Sequence, residues 1–235
     1  MSWKANILTI YPDMYPGPLS HSLIGKALEK KIWELNVYDL KEFGIGKRKK
    51  VDDKPFGGGP GMILRSDVLS AAIDEALIKN HKEESLIYLS PKGQPITQKI
   101  VSSYSKQSGV SLICGHFEGI DQRILDSYNI KELSLGDYVL SGGEIASFPF
   151  LDSIIRLLPG VLGNDNSVKE ESFSSDFLEY PHYTRPKKFN DIEAPEVLLS
   201  GNHAEIKNWR LKEANKVTKK RRPDLLKNKN KKNKS

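Results

Sequence analysis

Three glycine-rich segments hold the residue types best suited to gripping a ligand: Asp52-Asp-Lys-Pro-Phe-Gly-Gly-Gly-Pro-Gly-Met62, Cys114-Gly-His-Phe-Glu-Gly-Ile-Asp121 and Leu133-Ser-Leu-Gly-Asp-Tyr-Val-Leu-Ser-Gly-Gly-Glu144. Glycine lets main-chain amides and carbonyls come close to a bound molecule, and it admits positive φ. The segments do not fit the standard phosphate motifs. Gly25-Lys26 is followed by Ala27, with Ser20 five positions before the glycine, and Gly44-Ile-Gly46 lacks a third glycine. A ligand held by backbone edges, without a triphosphate cradle, is therefore expected. Farther along, Glu170-Glu171-Ser172-Phe173 sets two carboxylates beside an aromatic ring, and Tyr180-Pro-His-Tyr-Thr-Arg-Pro186 mixes aromatics with His182 and Arg185. Taken alone, the second of these reads as an ordinary proline-framed loop and the two acids as solvated linker residues. The five histidines show no HxxxH spacing and there is one cysteine, Cys114, so no metal site is expected.

Parallel strands and crossover helices would have to position these loops. Short apolar runs alternate with amphipathic stretches through the first two-thirds of the chain, which predicts an α/β fold. Ile7–Ile10, Val37–Leu40, Leu86–Leu89 and Val110–Cys114 read as strands, the last two as interior parallel strands. Helices are predicted over Ser20–Leu35, over Asp67–Lys79 with Ser66 as cap, over Thr97–Lys106, and over Glu144–Leu158 with a bend or restart at Pro149. The glycine segments follow predicted strands, and ligands of open α/β sheets bind outside the carboxyl ends of the strands. After Pro159-Gly160 the pattern changes. The segments expected are a sheet domain over 1–161, a flexible linker over 162–176, and a small helical domain over 177–235. In the last, Pro195–Leu199 and Asn202–Arg222 read as helical, with Ile206, Trp209, Ala214 and Val217 as buried positions.

The net charge of +6 is unevenly spread. Residues 216–235 carry ten Lys/Arg against Asp224, a net of +9, which leaves −3 for the rest. Such a block attracts phosphate backbones. One cysteine excludes an internal disulfide framework and fits a reducing compartment. No apolar run reaches the roughly 18 residues of a membrane span, and the first residues lack a signal peptide's pattern, so a cytoplasmic protein away from membranes is expected.

The ordered set Asp53-Lys-Pro-Phe-Gly-Gly-Gly-Pro-Gly-Met, Leu89-Ser-Pro-Lys-Gly, Gly115-His-Phe-Glu-Gly-Ile-Asp, Leu135-Gly-Asp-Tyr-Val-Leu-Ser-Gly-Gly-Glu, Pro159-Gly-Val-Leu-Gly and Tyr180-Pro-His-Tyr-Thr-Arg-Pro resembles the TrmD family of tRNA (guanine-N1)-methyltransferases over nearly the whole chain. The resemblance implies a SPOUT-type parallel sheet with a deep trefoil knot, S-adenosylmethionine bound in the knot, tRNA as substrate, and a homodimer with active sites at the subunit interface. By motif match the cofactor residues are Leu89, Ser90, Pro91, Gly115, Glu118, Ser134, Leu135, Gly136, Tyr138, Val139, Leu140, Gly142 and Gly143. Asp53, Gly59, His182, Tyr183 and Arg185 fall to the substrate.

The chemistry so implied is methylation of N1 of guanosine-37, next to the anticodon. It needs an aimed methyl group, removal of the N1 proton, and a partner for charge developing at O6. Glu171 stands where the family carries an aspartate base, and Arg156 matches a helix arginine suited to O6. Mg²⁺ is an alternative oxyanion stabiliser in this resemblance. Where the family shows Arg-Tyr, this chain has His116-Phe117, which removes a permanent charge and a hydroxyl. Two other readings compete: a knotted relative acting on ribosomal RNA, and a non-enzymatic RNA-binding protein relying on the basic tail.

Overall fold

The computed structural model describes residues 2–79, 85–163, 171–173 and 177–226. The chain divides into two compact units, Met1–Gly163 and Asn164–Ser235.

The first unit is built on five parallel strands: β1 (Trp3–Thr9), β2 (Trp33–Asp39), β5 (Ser85–Pro95), β6 (Gly109–Ile113) and β7 (Ile130–Ser134). They lie in the order β2-β1-β6-β5-β7. Two short antiparallel strands, β3 (Asp52–Asp53) and β4 (Ile63–Leu64), form a separate ribbon. The helices of this unit are α1 (Ser22–Glu29), α2 (Ser66–Lys79), α3 (Gln98–Tyr104), α4 (Gln122–Ser127) and α5 (Gly143–Ile155). Strands covered on both faces need apolar residues on both. Accordingly β6 is buried throughout, and two clusters form, one around Trp33, Leu112 and Phe150 and the other around Leu64, Ile73 and Ile113.

Several boundaries differ from the sequence expectation. The helix predicted over Ser20–Leu35 covers only Ser22–Glu29. Lys31 takes φ +55, Ile32 N–H bonds to the Ala27 carbonyl at 2.9 Å, and Lys31 N–H bonds to Leu28 at 2.9 Å. That is a Schellman stop. The chain then enters β2, where Trp33 is fully buried and its indole N–H donates to the Ile24 carbonyl. Ile32 and Leu35 pack on the core from beyond the helix, so they mimic its stripe. The helix α2 starts one residue early, and Asp67 rather than Ser66 accepts an N-terminal amide, that of Val68 at 3.0 Å. The helix α5 runs unbroken through Pro149. Proline removes one helix bond there, and burial of Phe150, Leu151, Ile154 and Ile155 outweighs that loss. Sequence periodicity does not predict α4 or β7, which are too short to show a period.

In the second unit, β8 (Lys188–Phe189) pairs with β9 (Ile192–Glu193), a 3₁₀ turn spans Glu196–Leu199, and α6 (His203–Arg221) follows. The Asn202 side chain caps α6 by accepting from Glu205 N–H. Of the positions expected to be buried, Ala214 is, whereas Ile206, Trp209 and Val217 are only partly covered. A unit of this size offers too little surface to enclose them. Thr218 is buried instead: its hydroxyl donates to the Ala214 carbonyl at 2.7 Å and accepts Leu178 N–H at 2.8 Å. No helix of the described residues is long and apolar enough to cross a membrane.

Candidate active site

At the carboxyl ends of β5, β6 and β7 three loops enclose a cavity of about 320 Å³. The first loop is a departure from β5. Leu89 pairs with Leu133 of β7, and the pairing resumes at Gln94, also on Leu133, so Ser90–Gly93 bulges away from the ladder. Gly93 is needed because a Cβ there would strike the β7 backbone at Glu132 and Leu133. The second loop leaves β6 and turns sharply through Phe117 at φ +58 and Gly119 at φ +111. The third, after β7, is pinned by Ser134, whose hydroxyl accepts Gly136 N–H at 3.2 Å. The second and third loops are joined by the Gly143 N–H to Gly115 carbonyl bond at 2.8 Å, and by an antiparallel bridge between His116 and Gly142.

The thirteen positions assigned to the cofactor by motif match, Leu89 through Gly143, all line this one cavity. The structure also brings in residues the motif match did not name, among them Tyr88, His116 and Glu132. Tyr88 lies under Gly115, where an added Cβ would sit 2.8 Å from its hydroxyl. Burial first, then the Glu132 carboxylate, pushes the Tyr88 phenol up to about 12, so it stays a protonated donor at neutral pH. Tyr88 was legible only as one more apolar strand residue.

The glycines act by different means than their sequence suggests. Gly142 has φ −168, extended backbone open to any residue. Its requirement is space: a Cβ would lie 2.5 Å from both Glu144 Oε2 and His116 Nδ1. At Gly143 a Cβ would meet backbone, Cys114 Cα at 2.8 Å and Gly115 N at 2.9 Å. At Gly136 it would meet only the Tyr138 ring, at 2.8 Å.

The first glycine segment does not line the cavity, but it is fastened to the rim. Glu118 N–H bonds to Met62 carbonyl at 2.9 Å, Leu64 N–H to Gly119 carbonyl at 3.0 Å, and Leu64 bridges Ile120. Within it Gly59 has φ +118 with open space where a side chain would stand, and Phe56 is 96% exposed. The Asp53 carboxylate is engaged by Lys50 at 2.9 Å and Arg65 at 3.1 Å. The Lys50 ammonium, the Lys54 amide and then Arg65 hold it below the usual carboxylate range. Arg156 caps the C-terminus of α5, its N–H bonded to the Asp152 carbonyl at 3.1 Å.

In the second unit Glu171 is half-buried. Beside it, Ser172 Oγ accepts Glu179 N–H at 2.9 Å, and Phe173 takes φ +71 with its N–H on the Phe177 carbonyl. Residues 164–170, with Glu170, and 174–176 lie outside the described residues, as does most of the predicted linker. His182 Nε2 is 2.9 Å from Glu179 and its ring is 4.9 Å from Tyr180. The Arg210 guanidinium lies 4.8 Å over the Tyr180 ring, and Tyr183 packs edge-on to Trp209 at 6.1 Å. Arg185 is exposed and precedes a cis Pro186. Among the described residues no group of three or more His, Cys, Asp or Glu is placed to hold a metal ion.

The profile of the family described as tRNA (Guanine-1)-methyltransferase TrmD matches residues 3–228. The chain is 54% identical over 224 residues to the tRNA (guanine-N(1)-)-methyltransferase of Pelagibacter ubique, covering 95% of this chain and 96% of that protein. It is 51% identical over 226 residues to the enzyme of the same name from Ehrlichia canis, covering 96% of each. For the one from Ruegeria pomeroyi the identity is 50% over 223 residues, covering 95% and 92%. With a match that runs from the first strand to the last helix, this chain belongs to the TrmD family of tRNA (guanine-1)-methyltransferases.

Proposed function

We propose that this protein transfers a methyl group from S-adenosylmethionine to N1 of guanosine-37 in tRNA, next to the anticodon. The observation that carries the reading is the single cavity at the ends of β5, β6 and β7, onto which the three loops converge. Its size lies at the lower end of small-molecule sites. Its walls combine apolar Leu89, Leu133, Leu135 and Ala146 with the carboxylates of Glu118 and Glu132 against the one ammonium of Lys92. Such a set suits a ligand that pairs a flat base with positively charged groups, and close backbone approach at Gly115, Gly142 and Gly143 leaves the room. S-adenosylmethionine would supply an electrophilic methyl group there.

The rest falls to this chain's own side chains. Glu171 accepts the proton from guanine N1 as general base, and Arg156 offsets negative charge developing at O6. His182, Tyr183 and Arg185 hold the splayed nucleotide, and Asp53 and Gly59 contribute from the first glycine segment. Mg²⁺ remains a second means of stabilising O6 in this reading. The parallel sheet is read as SPOUT-type, with the loops after β5, β6 and β7 forming a trefoil knot. The protein is read as a cytoplasmic homodimer with active sites at the subunit interface. Exposed apolar residues around the third loop, Val139 at 84% and Ile145 at 46%, are the kind of surface a partner covers.

The test is methyl transfer from labelled S-adenosylmethionine to a tRNA transcript with guanosine-37 intact or changed to adenosine. Transfer to the first and not the second is expected; equal transfer to both overturns the site of modification.

A further inference from the structure

Glu144 stands in the first turn of α5 with only 2% of its surface exposed. A buried carboxylate is costly unless it is paired and hydrogen-bonded. One oxygen is served: Oε1 accepts the Thr9 hydroxyl at 2.7 Å, and Thr9 Oγ1 in turn accepts Tyr11 N–H at 2.9 Å. The helix N-terminus adds a partial positive charge. The other oxygen, Oε2, faces His116 Nδ1 at 3.7 Å. That nitrogen is closed off from solvent and makes no hydrogen bond among the described residues. Two buried atoms of complementary chemistry thus face each other just beyond bonding distance.

The surroundings hold the imidazole at this place. Its ring packs edge-on against Tyr11 at 5.1 Å and Phe117 at 4.9 Å. Its backbone is bridged to Gly142, and the missing side chain of Gly142 is what leaves the gap between imidazole and carboxylate clear. Near Glu144, the Tyr15 hydroxyl is bonded to the Cys114 thiol and to Ser147, whose hydroxyl also donates to the Glu144 carbonyl. Burial above all, with a smaller contribution from the Glu144 charge, keeps the phenol and the thiol protonated. Among the described residues, the group that faces Glu144 Oε2 within 4 Å is His116.

We infer that Glu144 is a positioning residue that acts through His116, latching the second glycine loop to the first turn of α5 and, through Thr9, to β1. A carboxylate that takes the Nδ1 proton's hydrogen bond selects that tautomer and fixes the ring. The exposed fifth of the His116 side chain, which is not Nδ1, lines the cavity and is then presented in one orientation. The latch is a property of the folded chain. Only its consequence for ligand affinity rests on the cofactor reading.

Removing one member of a buried pair leaves the other uncompensated, so the two substitutions should not be independent. His116→Gln takes the packed imidazole away from the carboxylate and leaves a flexible amide in its place, whereas Glu144→Gln keeps an acceptor for Thr9 and places an amide toward the imidazole. Amide hydrogen exchange over residues 114–119 of the ligand-free protein is the first measurement. His116→Gln should speed exchange there by about tenfold or more, Glu144→Gln by less, and the double variant should fall back below His116→Gln alone. His116→Arg, which returns N–H donors to the gap, should keep near wild-type protection. Equal exchange in His116→Gln and the double variant, or no change in His116→Gln, overturns the latch. Calorimetric titration with S-adenosylmethionine is the second measurement, and affinities should follow the same order. A wild-type protein that does not bind S-adenosylmethionine would refute the cofactor reading and leave the exchange experiment to decide the latch.

Discussion

The cavity of the first unit and the aromatic cluster of the second are built from opposite materials. Around the cavity much of the closest approach is made by backbone and glycines, set by strands whose flanking residues are buried. An added Cβ would lie 2.5 Å from the Glu144 and His116 side chains at Gly142 and 2.8 Å from the Cys114 backbone at Gly143. The second unit instead presents side chains, the exposed His182 and Tyr183 resting on the half-buried Glu179 and Trp209, and the half-buried Tyr180 under Arg210, beside a helix that buries only Ala214 and Thr218. A site made of space fails when something is added to it, and a site made of side chains fails when charge or stacking is taken away. The two also differ in what holds them. The cavity inherits the stability of a full sheet core, while the second unit leans on a few specific hydrogen bonds.

The sharpest way to break this contrast is to add bulk to the cavity. Gly142→Val and Gly143→Val should reduce S-adenosylmethionine binding by at least about 100-fold, since the added atoms meet the buried Glu144–His116 pair or backbone that cannot yield. Gly136→Val should cost less, because the Tyr138 ring it meets is 55% exposed and can swing aside. Calorimetry on variants whose circular dichroism matches wild type reads this order. Equal, near-normal binding in all three would end the assignment of the cavity.

Taking charge away from the second unit comes next in size. Glu171→Gln removes the proposed base and keeps its shape. Turnover should fall by roughly 10²-fold, with S-adenosylmethionine and tRNA affinities held within a few fold. Glu171→Asp should retain partial activity, and Glu170→Gln should behave as wild type. Single-turnover methyl transfer separates these cases, and a near wild-type rate in Glu171→Gln would move the base elsewhere.

A smaller loss is expected from deleting residues 227–235, which removes five lysines. Binding to tRNA should weaken, with a shallower dependence on salt, at an unchanged rate under saturating tRNA. Filter binding across a salt series tests it; an unaltered slope would make the tail a solvated end.

The smallest effect tests what holds the second unit. Thr218→Val keeps the shape and strips the hydroxyl that serves both Leu178 N–H and Ala214 carbonyl. The loss should be about 1–3 kcal/mol of stability in the second unit. It should appear as an earlier thermal transition, with S-adenosylmethionine binding by the first unit untouched. A shift in that binding would show that the two units do not fail independently.

Much of this architecture was readable in one dimension. Apolar runs announced four of the five sheet strands, helix α6 was placed to within a residue at each end, and two of the three glycine-rich segments marked loops that ring the cavity. These are local properties: periodicity, capping and turn chemistry act within a few residues, so they leave a trace in the sequence. The four-residue excursion in β5, the short strand β7 and the early end of α1 left no such trace, because each is set by what packs against it.

The same division runs through the site. Sequence alone supplied the residue types, and a motif match gathered thirteen positions that prove to line one cavity. Yet His116 read only as a lost arginine, Glu144 as one acid at a helix start, and Gly142 as one more glycine of the third segment. The folded chain brings Thr9, His116, Gly142 and Glu144 together from β1, the loop after β6 and the start of α5. The buried contact between positions 116 and 144 and the space it demands are non-local, and no pattern of neighbours along the chain encodes them. That is why tertiary structure alone could turn a titratable side chain and a missing one into parts of the same device.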